Sequence, residues 1–165
     1  MNTFLPYASY TATGSVLDNR RLNKEIVEAE QICRALEDPG YGWQRHPAVR
    51  MWRGHYAELV RYGVAMYDEW QRRYDAGDRG GKRDHKSGER LAQRLREAVP
   101  PGDDYAPPPW LGDERLHASH RACLLAKDPV HYGRFGWCEE PTPRTADGWP
   151  YWWPPEPRRY KREGG

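Results

Sequence analysis

The sequence predicts a compact, all-α, single-domain helical bundle that carries an irregular C-terminal arm. Apolar residues recur at spacings of three and four in four separate segments, which is the period of an amphipathic helix. No segment alternates apolar and polar residues over the length of a strand. The last part of the chain is rich in Pro and Trp instead, and Pro does not fit a helix interior. We therefore expect a helical domain over residues 1–137 and an arm with a basic end over residues 138–165.

Local signals predict where the four helices begin and end. The first helix follows an N-cap at Ser15 or Asp18 and stops at an Asp-Pro-Gly turn at residues 38–40. The second begins with Pro47, because Pro suits the first helical position, and continues as one unbroken helix. Gly- and Pro-rich segments separate the later helices. The predicted helices span residues 16–37, 47–70, 87–99 and 113–127.

Charge and cysteine content exclude several classes of protein. No apolar run is long enough to cross a bilayer, and the first residues lack the pattern of a secretory signal, so we expect a cytoplasmic protein. The three cysteines are far apart and form no Cys-x-x-Cys pair, which argues against a disulfide framework and a zinc ribbon. The net charge of +2 is too small to indicate nucleic-acid binding. However, residues 72–96 contain nine basic and four acidic side chains, which predicts a basic surface.

Arg21, Glu25 and Glu28 line one flank of the apolar stripe on the first helix. At about 100° per residue they project from the same side, while Lys24 and Glu30 point elsewhere. A carboxylate beside an arginine and a second carboxylate suits general acid–base chemistry or the stabilisation of a cation. The alternative is a surface helix with an ordinary Arg–Glu pair, which stabilises a helix by a few tenths of a kcal/mol.

Two histidines on the fourth helix allow a second type of site. His120 lies in the middle of the apolar stripe and His117 lies at its edge, three residues away. A histidine in such a position is more often a core residue with satisfied hydrogen bonds. Both histidines could instead join Glu25 and Glu28 in a metal site between two helices, although neither pair forms a Glu-x-x-His motif.

Basic side chains interleaved with aromatic ones indicate nucleic-acid binding, because cations contact phosphates and rings stack on unpaired bases. Such groups occur around Arg50 and Trp52, in the loop that follows Arg72, and around Tyr132. Aromatic core residues with solvated charges between them would give the same pattern.

Three segments together resemble the pyrimidine-dimer DNA glycosylase family of the endonuclease V type, and a bacterial branch of it in particular. They are LDNRRLNKEIVEAEQI at residues 17–32, HPAVRMWRGHYAELVRYG at 46–63 and RLHASHRACLLAKDPVHYGRFGW at 115–137. In this family an apolar-x-x-Glu-x-x-Glu segment carries the catalytic glutamate at its second Glu. The resemblance therefore implies that Glu28 is catalytic. It also aligns Lys127 with a Lys-x-Pro step near the end of the domain.

The resemblance also implies the nucleophile and the substrate. The family uses the α-amine of a small residue exposed by removal of the initiator methionine. Here the second residue, Asn2, is too large for efficient removal of Met1. The α-amine of Met1 is therefore the expected nucleophile. We expect a monomer, without a cofactor or bound metal, that excises a damaged or modified base from double-stranded DNA near the nucleoid. The residues expected to complete the catalytic group are Arg21 and His120. The residues expected to contact DNA are Asn19, Arg20, Glu25, Arg50, Lys82, Arg83, Lys86, His117, Arg121 and Tyr132.

Two alternatives to this hypothesis remain at this point. One is a non-catalytic DNA-binding protein on the same scaffold, and the other is a metal-dependent enzyme that uses the His/Glu site.

Overall fold

A computed structural model describes residues 1–78, 84–99 and 106–155 of the chain. Within these ranges the protein is all-α, as the sequence predicts, and its only β-type pairing is an isolated bridge between Thr145 and Gly148. The described residues form seven α-helices: α1 (Tyr10–Val16), α2 (Asn19–Glu37), α3 (Pro47–Trp52), α4 (Tyr56–Asp75), α5 (Lys86–Ala98), α6 (Glu114–Lys127) and α7 (Pro129–Tyr132). A 3₁₀ turn (Gly133–Phe135) follows α7. None of the described helices is long and apolar enough to cross a membrane.

The helix starts follow local capping chemistry. Asp18 caps α2 by accepting a hydrogen bond from the backbone N–H of Arg21, at 3.0 Å. Asp113 caps α6 in the same way. Pro47 occupies the first turn of α3, where a missing N–H has no cost. The predicted cap at Asp18 and the predicted helix start at Pro47 are therefore confirmed.

The predicted long second helix is wrong, because the chain forms α3 and α4 with a break between them. Gly54 adopts a φ of +85°, a left-handed conformation that few other residues tolerate, and it separates the two helices. Trp52, Leu59 and Met66 are nevertheless fully buried. The apolar stripe therefore indicated the buried face correctly but not the interruption.

Helices α2, α4 and α5 pack together around the core, and two glycines permit their close approach. A Cβ at Gly63 of α4 would lie 2.8 Å from a methyl group of Leu91 and 3.1 Å from the Cβ of Ala29. A Cβ at Gly88 of α5 would lie 2.3 Å from the ring of Tyr67. The distances of 2.8 and 2.3 Å are shorter than a carbon–carbon contact allows, so glycine at these two positions permits the close packing of the three helices.

The arm lies against α6 over the part that the structure describes. The N–H of Thr142 donates to the carbonyl of Ala122 at 3.0 Å, and the N–H of Trp152 donates to Oγ of Ser119 at 3.0 Å. The guanidinium of Arg115 stacks over Trp152. These contacts hold the aromatic side chains of the arm close to the N-terminal segment, residues 1–9, which contains no helix.

Candidate active site

Two glutamates of α2 hold the N-terminal segment on one side. Oε2 of Glu28 accepts a 2.7 Å hydrogen bond from the N–H of Asn2, and Oε2 of Glu25 accepts one of 2.9 Å from the N–H of Phe4. Tyr62 of α4 also donates to Oε2 of Glu25, at 2.6 Å. Because three residues separate the glutamates on a helix, they lie one turn apart and contact successive parts of the segment.

Two histidines of α6 hold the same segment on its other side. The N–H of Leu5 donates to Nδ1 of His120 at 2.7 Å, and Nδ1 of His117 donates to the carbonyl of Leu5, also at 2.7 Å. Nε2 of His117 accepts from the N–H of Gly112, which leaves the proton on Nδ1. Burial, the largest cause, lowers the pKa of His120 to about 3. His120 is therefore a neutral acceptor for the backbone at working pH.

These contacts correct the expectation that His120 is catalytic, and both histidines bind the backbone of Leu5 rather than join the glutamates in the alternative metal site. Both imidazoles bind the backbone of Leu5, which is itself fully buried between α2 and α6. In the described ranges no three His, Cys, Asp or Glu side chains are grouped as metal ligands would be. His117 and His120 are core residues that position the N-terminal segment.

Glu28 and the N-terminal amine meet in a cleft with a volume of about 430 Å³. Oε1 of Glu28 lies 3.8 Å from the α-amine of Met1 and 3.3 Å from Nζ of Lys24. The Glu28 side chain is only 8% exposed, so its charge is poorly screened by water. The cleft is lined by Met1, Asn2, Phe4, Arg20, Arg21, Lys24, Glu28, Ala126, Lys127, Trp149 and Tyr151.

Cationic side chains surround this carboxylate. Arg21 is fixed by a 2.6 Å ion pair with Asp18, and its guanidinium lies 5.5 Å from the ring centre of Tyr132. Tyr132 in turn donates to Asp18 at 2.6 Å. Arg20 and Lys24 are exposed at the rim. Together with Lys127, these side chains place four basic residues around one buried carboxylate in the lining of the cleft.

Lys24 and Glu30 depart from the predicted helix face. Lys24 is on the Glu28 side of α2, about 40° away around the helix, so it lies beside the carboxylate rather than away from it. Glu30 is buried beneath α5, where it faces Arg94 at 3.5 Å. The buried arc is wider than the apolar stripe indicates because α5 also packs on α2.

Glu25 is fully buried and does not line the cleft. Burial, and then the neighbouring charge of Glu28, raise the pKa of the Glu25 carboxyl. Its contacts with Phe4 and Tyr62 make it a positioning residue for the N-terminal segment, rather than one that touches DNA.

Tyr132 and Arg121 are also inaccessible to DNA bases. Tyr132 is fully buried, so it acts on the cleft only through Asp18 and Arg21. Arg121 is largely buried and donates to the carbonyl of Pro6 at 2.8 Å and to Glu139 at 2.7 Å. The predicted DNA contact of each residue is corrected to a structural contact.

The remaining predicted DNA contacts lie outside the cleft. Asn19 is bonded to Arg73, at 3.0 Å, beside a different cleft. Arg50 lines another cleft, between α3 and the arm, and Lys86 is exposed at the start of α5. The predicted contacts of Lys82 and Arg83 lie outside the described residues.

The arm contributes two aromatic residues that sequence reasoning did not assign to the site. Nζ of Lys127 lies 3.2 Å from the ring centre of Trp149, and the ring of Tyr151 packs edge-on against Phe4 and His120. Among the cleft contacts that were not predicted, the Lys24–Glu28 ion pair could have been found from the sequence, because the two residues have i,i+4 spacing on one helix. No local pattern could have placed Trp149 in a cleft whose other walls are residues 1–28 and the end of α6.

Residues 1–79 match the model of a family described as pyrimidine dimer DNA glycosylase. The match supports the family assignment predicted from the sequence, and it contains α1–α4 with the N-terminal segment. The resemblance predicted for residues 80–137 lies beyond the matched region and stays a prediction. No curated protein and no solved structure matches the chain.

Proposed function

We propose that this chain, a relative of the pyrimidine dimer DNA glycosylases, excises a damaged or modified base and cleaves the resulting abasic site. The observation that carries the proposal is the buried carboxylate of Glu28, which faces the α-amine of Met1 at 3.8 Å inside a cationic cleft. An amine nucleophile and a carboxylate beside it are the two groups that this chemistry requires.

The amine would attack C1′ of the damaged nucleotide while the bond from C1′ to the base breaks. The base leaves with the electron pair of that bond, and the sugar remains attached to the protein as an imine after its ring opens. Glu28 would stabilise the positive charge that develops on the sugar. The carboxylate would then remove the C2′ proton, so that the C2′–H electrons form a double bond to C3′ and the 3′ phosphate leaves.

The contacts of Glu28 support this double role. The N–H of Asn2 binds Oε2 of Glu28 at 2.7 Å and leaves Oε1 towards the amine and Lys24. One oxygen is therefore held by the backbone, while the other faces the space in which a sugar would lie. A rigid carboxylate needs no rearrangement when the charge develops.

The size of the cleft supports a flipped nucleotide as the substrate. A volume of about 430 Å³ is in the range of small-molecule sites, and it cannot hold a duplex. A base inside a duplex must be unstacked before its C1′ can be reached in such a cleft. Arg20, Arg21 and Lys24 would hold the phosphates on either side of the extruded nucleotide.

A panel of duplex oligonucleotides, each with one lesion or modified base, tests the proposal. Base release and strand nicking are measured separately for each substrate. We expect the protein to release the base from at least one substrate and to nick the strand of that same substrate. If no substrate loses its base although the duplexes bind, the scaffold serves as a non-catalytic DNA-binding protein, which is the second candidate function and is favoured by the same cationic rim.

A further inference from the structure

Lys127 is the last residue of α6 and lines the cleft that contains Glu28 and the amine of Met1. It is half-buried, and its Nζ lies 3.2 Å from the ring centre of Trp149 and 5.9 Å from that of Phe4. Through the described ranges it forms no ion pair and no hydrogen bond with a carboxylate. Its amine therefore lies against aromatic rings rather than against a carboxylate.

The charges around Lys127 favour its neutral form. Arg21 and Lys24 face it from α2, and Arg144 faces it from the arm, while Cys123 is the group on α6 that acts in the opposite direction. Burial, followed by Arg21, lowers the pKa of Lys127 to about 8. A substantial fraction of the amine is therefore unprotonated at mildly alkaline pH, whereas an ordinary exposed lysine has a pKa of about 10.4.

Lys24, the other lysine of the cleft, has the opposite environment. Its side chain is 65% exposed, and its Nζ is paired with Oε1 of Glu28 at 3.3 Å. Its amine is therefore both solvated and engaged by a carboxylate. Of the two cleft lysines, only Lys127 combines burial with the absence of a carboxylate partner.

We propose that Lys127 is a second imine-forming amine of the cleft, which captures the aldehyde of abasic sites that are already present in DNA. The inference rests on the proposed function, because it requires that an abasic nucleotide enters this cleft. It adds an activity on preformed abasic sites that does not need the α-amine.

The reaction uses only the abasic site, Lys127, Glu28 and water. The lone pair of Nζ attacks C1′ of the open-chain aldehyde, and the carbonyl oxygen takes up a proton to give a carbinolamine. Loss of water gives the protonated imine. Glu28 removes the C2′ proton, the C2′–H electrons form the C2′=C3′ double bond, and the 3′ phosphate leaves. Water then hydrolyses the imine and releases Lys127.

Borohydride trapping on an oligonucleotide with a preformed abasic site tests this assignment. Borohydride reduces the imine to a stable amine, and digestion followed by mass spectrometry maps the cross-linked residue. We expect the adduct on Lys127, with a trapping rate that rises with pH and levels off above about pH 8. An adduct confined to the α-amine, or no adduct at all, would overturn the assignment.

Two substitutions separate a nucleophile from a phosphate-binding cation. Lys127→Arg keeps the positive charge but cannot form an imine, whereas Lys127→Met removes both. We expect the Lys127 adduct to be lost in both variants, and DNA binding, measured by fluorescence anisotropy, to weaken only in Lys127→Met. If Lys127→Arg still cleaves preformed abasic sites at the wild-type rate, the assignment is wrong. Thermal melting of each variant verifies that it is folded.

A parallel assay distinguishes this inference from the proposed function. Base release from lesion-containing DNA is measured for the wild type and for Lys127→Arg. Release by both proteins, with an adduct on the α-amine alone, overturns the role of Lys127 and supports the glycosylase. An adduct on Lys127 without any base release supports the inference and contradicts the glycosylase.

Discussion

The backbone N–H of Asn2 donates a 2.7 Å hydrogen bond to Oε2 of Glu28, and this bond joins the start of the chain to the middle of α2. It fixes the position of the N-terminal segment relative to the buried carboxylate of Glu28. Because the α-amine belongs to the preceding residue, it is placed on the same side of Glu28, at 3.8 Å from Oε1. The geometry of the candidate active site therefore depends on how firmly residues 1–6 are held.

Substituting Glu28 tests its proposed role directly. Glu28→Gln keeps the shape of the side chain and can still accept from Asn2, but it removes the negative charge. We expect a folded protein whose base-release rate is lower by about 10²-fold or more. Single-turnover kinetics on the best substrate of the lesion panel measures the effect.

The control for this experiment is Glu97→Gln. Glu97 is exposed on α5, and within the described residues its one hydrogen bond comes from Nε2 of Gln93, at 3.0 Å. Glu30, which the sequence places away from the site, is unsuitable because it is buried beside Arg94. If Glu28→Gln and Glu97→Gln are equally active, Glu28 has no part in the mechanism.

Glu25→Gln is expected to change how stability depends on pH. The raised pKa of Glu25 means that the folded protein binds more protons than the unfolded chain at pH values above the ordinary 4.5 of a glutamate. The contribution of Glu25 to stability is therefore present at low pH and is lost as pH rises through the raised value. Relative to Glu25→Gln, the wild type should lose unfolding free energy between pH 5 and pH 8. Urea unfolding of both proteins across this range measures the difference, and parallel curves would contradict the prediction.

His120→Ala is expected to destabilise the fold by about 2–4 kcal/mol. The substitution leaves the N–H of Leu5 without its 2.7 Å acceptor and creates a cavity beside Tyr151. Urea unfolding at neutral pH measures the loss, and a loss below about 1 kcal/mol would show that the bond is dispensable.

The same residue predicts acid sensitivity of the wild type. The pKa of His120 is about 3 in the folded protein and 6.5 for an ordinary histidine, so the unfolded chain binds more protons between these values. The stability due to His120 is complete above about pH 6.5 and falls as pH decreases towards 3. The difference in unfolding free energy between wild type and His120→Ala should therefore shrink on acidification. A difference independent of pH would contradict this account.

Neutralising the rim of the cleft should change the salt dependence of DNA binding. In the double variant Arg20→Gln, Lys24→Gln, each lost phosphate contact reduces the slope of log K against log salt by about 0.9. The matched control is Arg34→Gln, Arg53→Gln, which removes the same charge from exposed positions outside the cleft. Fluorescence anisotropy at several salt concentrations measures both slopes. Equal slopes for the two double variants would show that the rim does not contact phosphates.

The basic segment at residues 72–96 gives a separate prediction. Neutralising Lys82, Arg83 and Lys86 together should weaken binding about equally for all DNA sequences and flatten the salt dependence, because phosphate contacts carry no sequence information. The same anisotropy titrations, on two unrelated duplexes, check this. An unchanged slope of log K against log salt would show that these three residues do not contact phosphates.

The sequence by itself determined the features of this protein that depend on neighbours along the chain. Asp18 starts α2 and Pro47 starts α3 because capping and proline chemistry act within one turn. The heptad-like spacing of Leu22, Ile26 and Ala29 placed one face of α2 in the core. The family motif predicts the catalytic role of Glu28, and the helical period places Glu25 one turn away on the same side of α2.

The tertiary structure decided the roles of the residues whose partners are remote. His120 binds the backbone of Leu5, 115 residues away, and Trp149 reaches the cleft from an arm that has no periodic pattern. Lys127 became a candidate nucleophile only because Trp149, Arg21 and Arg144 surround it. Helical periodicity shows which way a side chain points from its own helix, but burial and pKa depend on what other segments place against it, and those contacts form only when the chain folds.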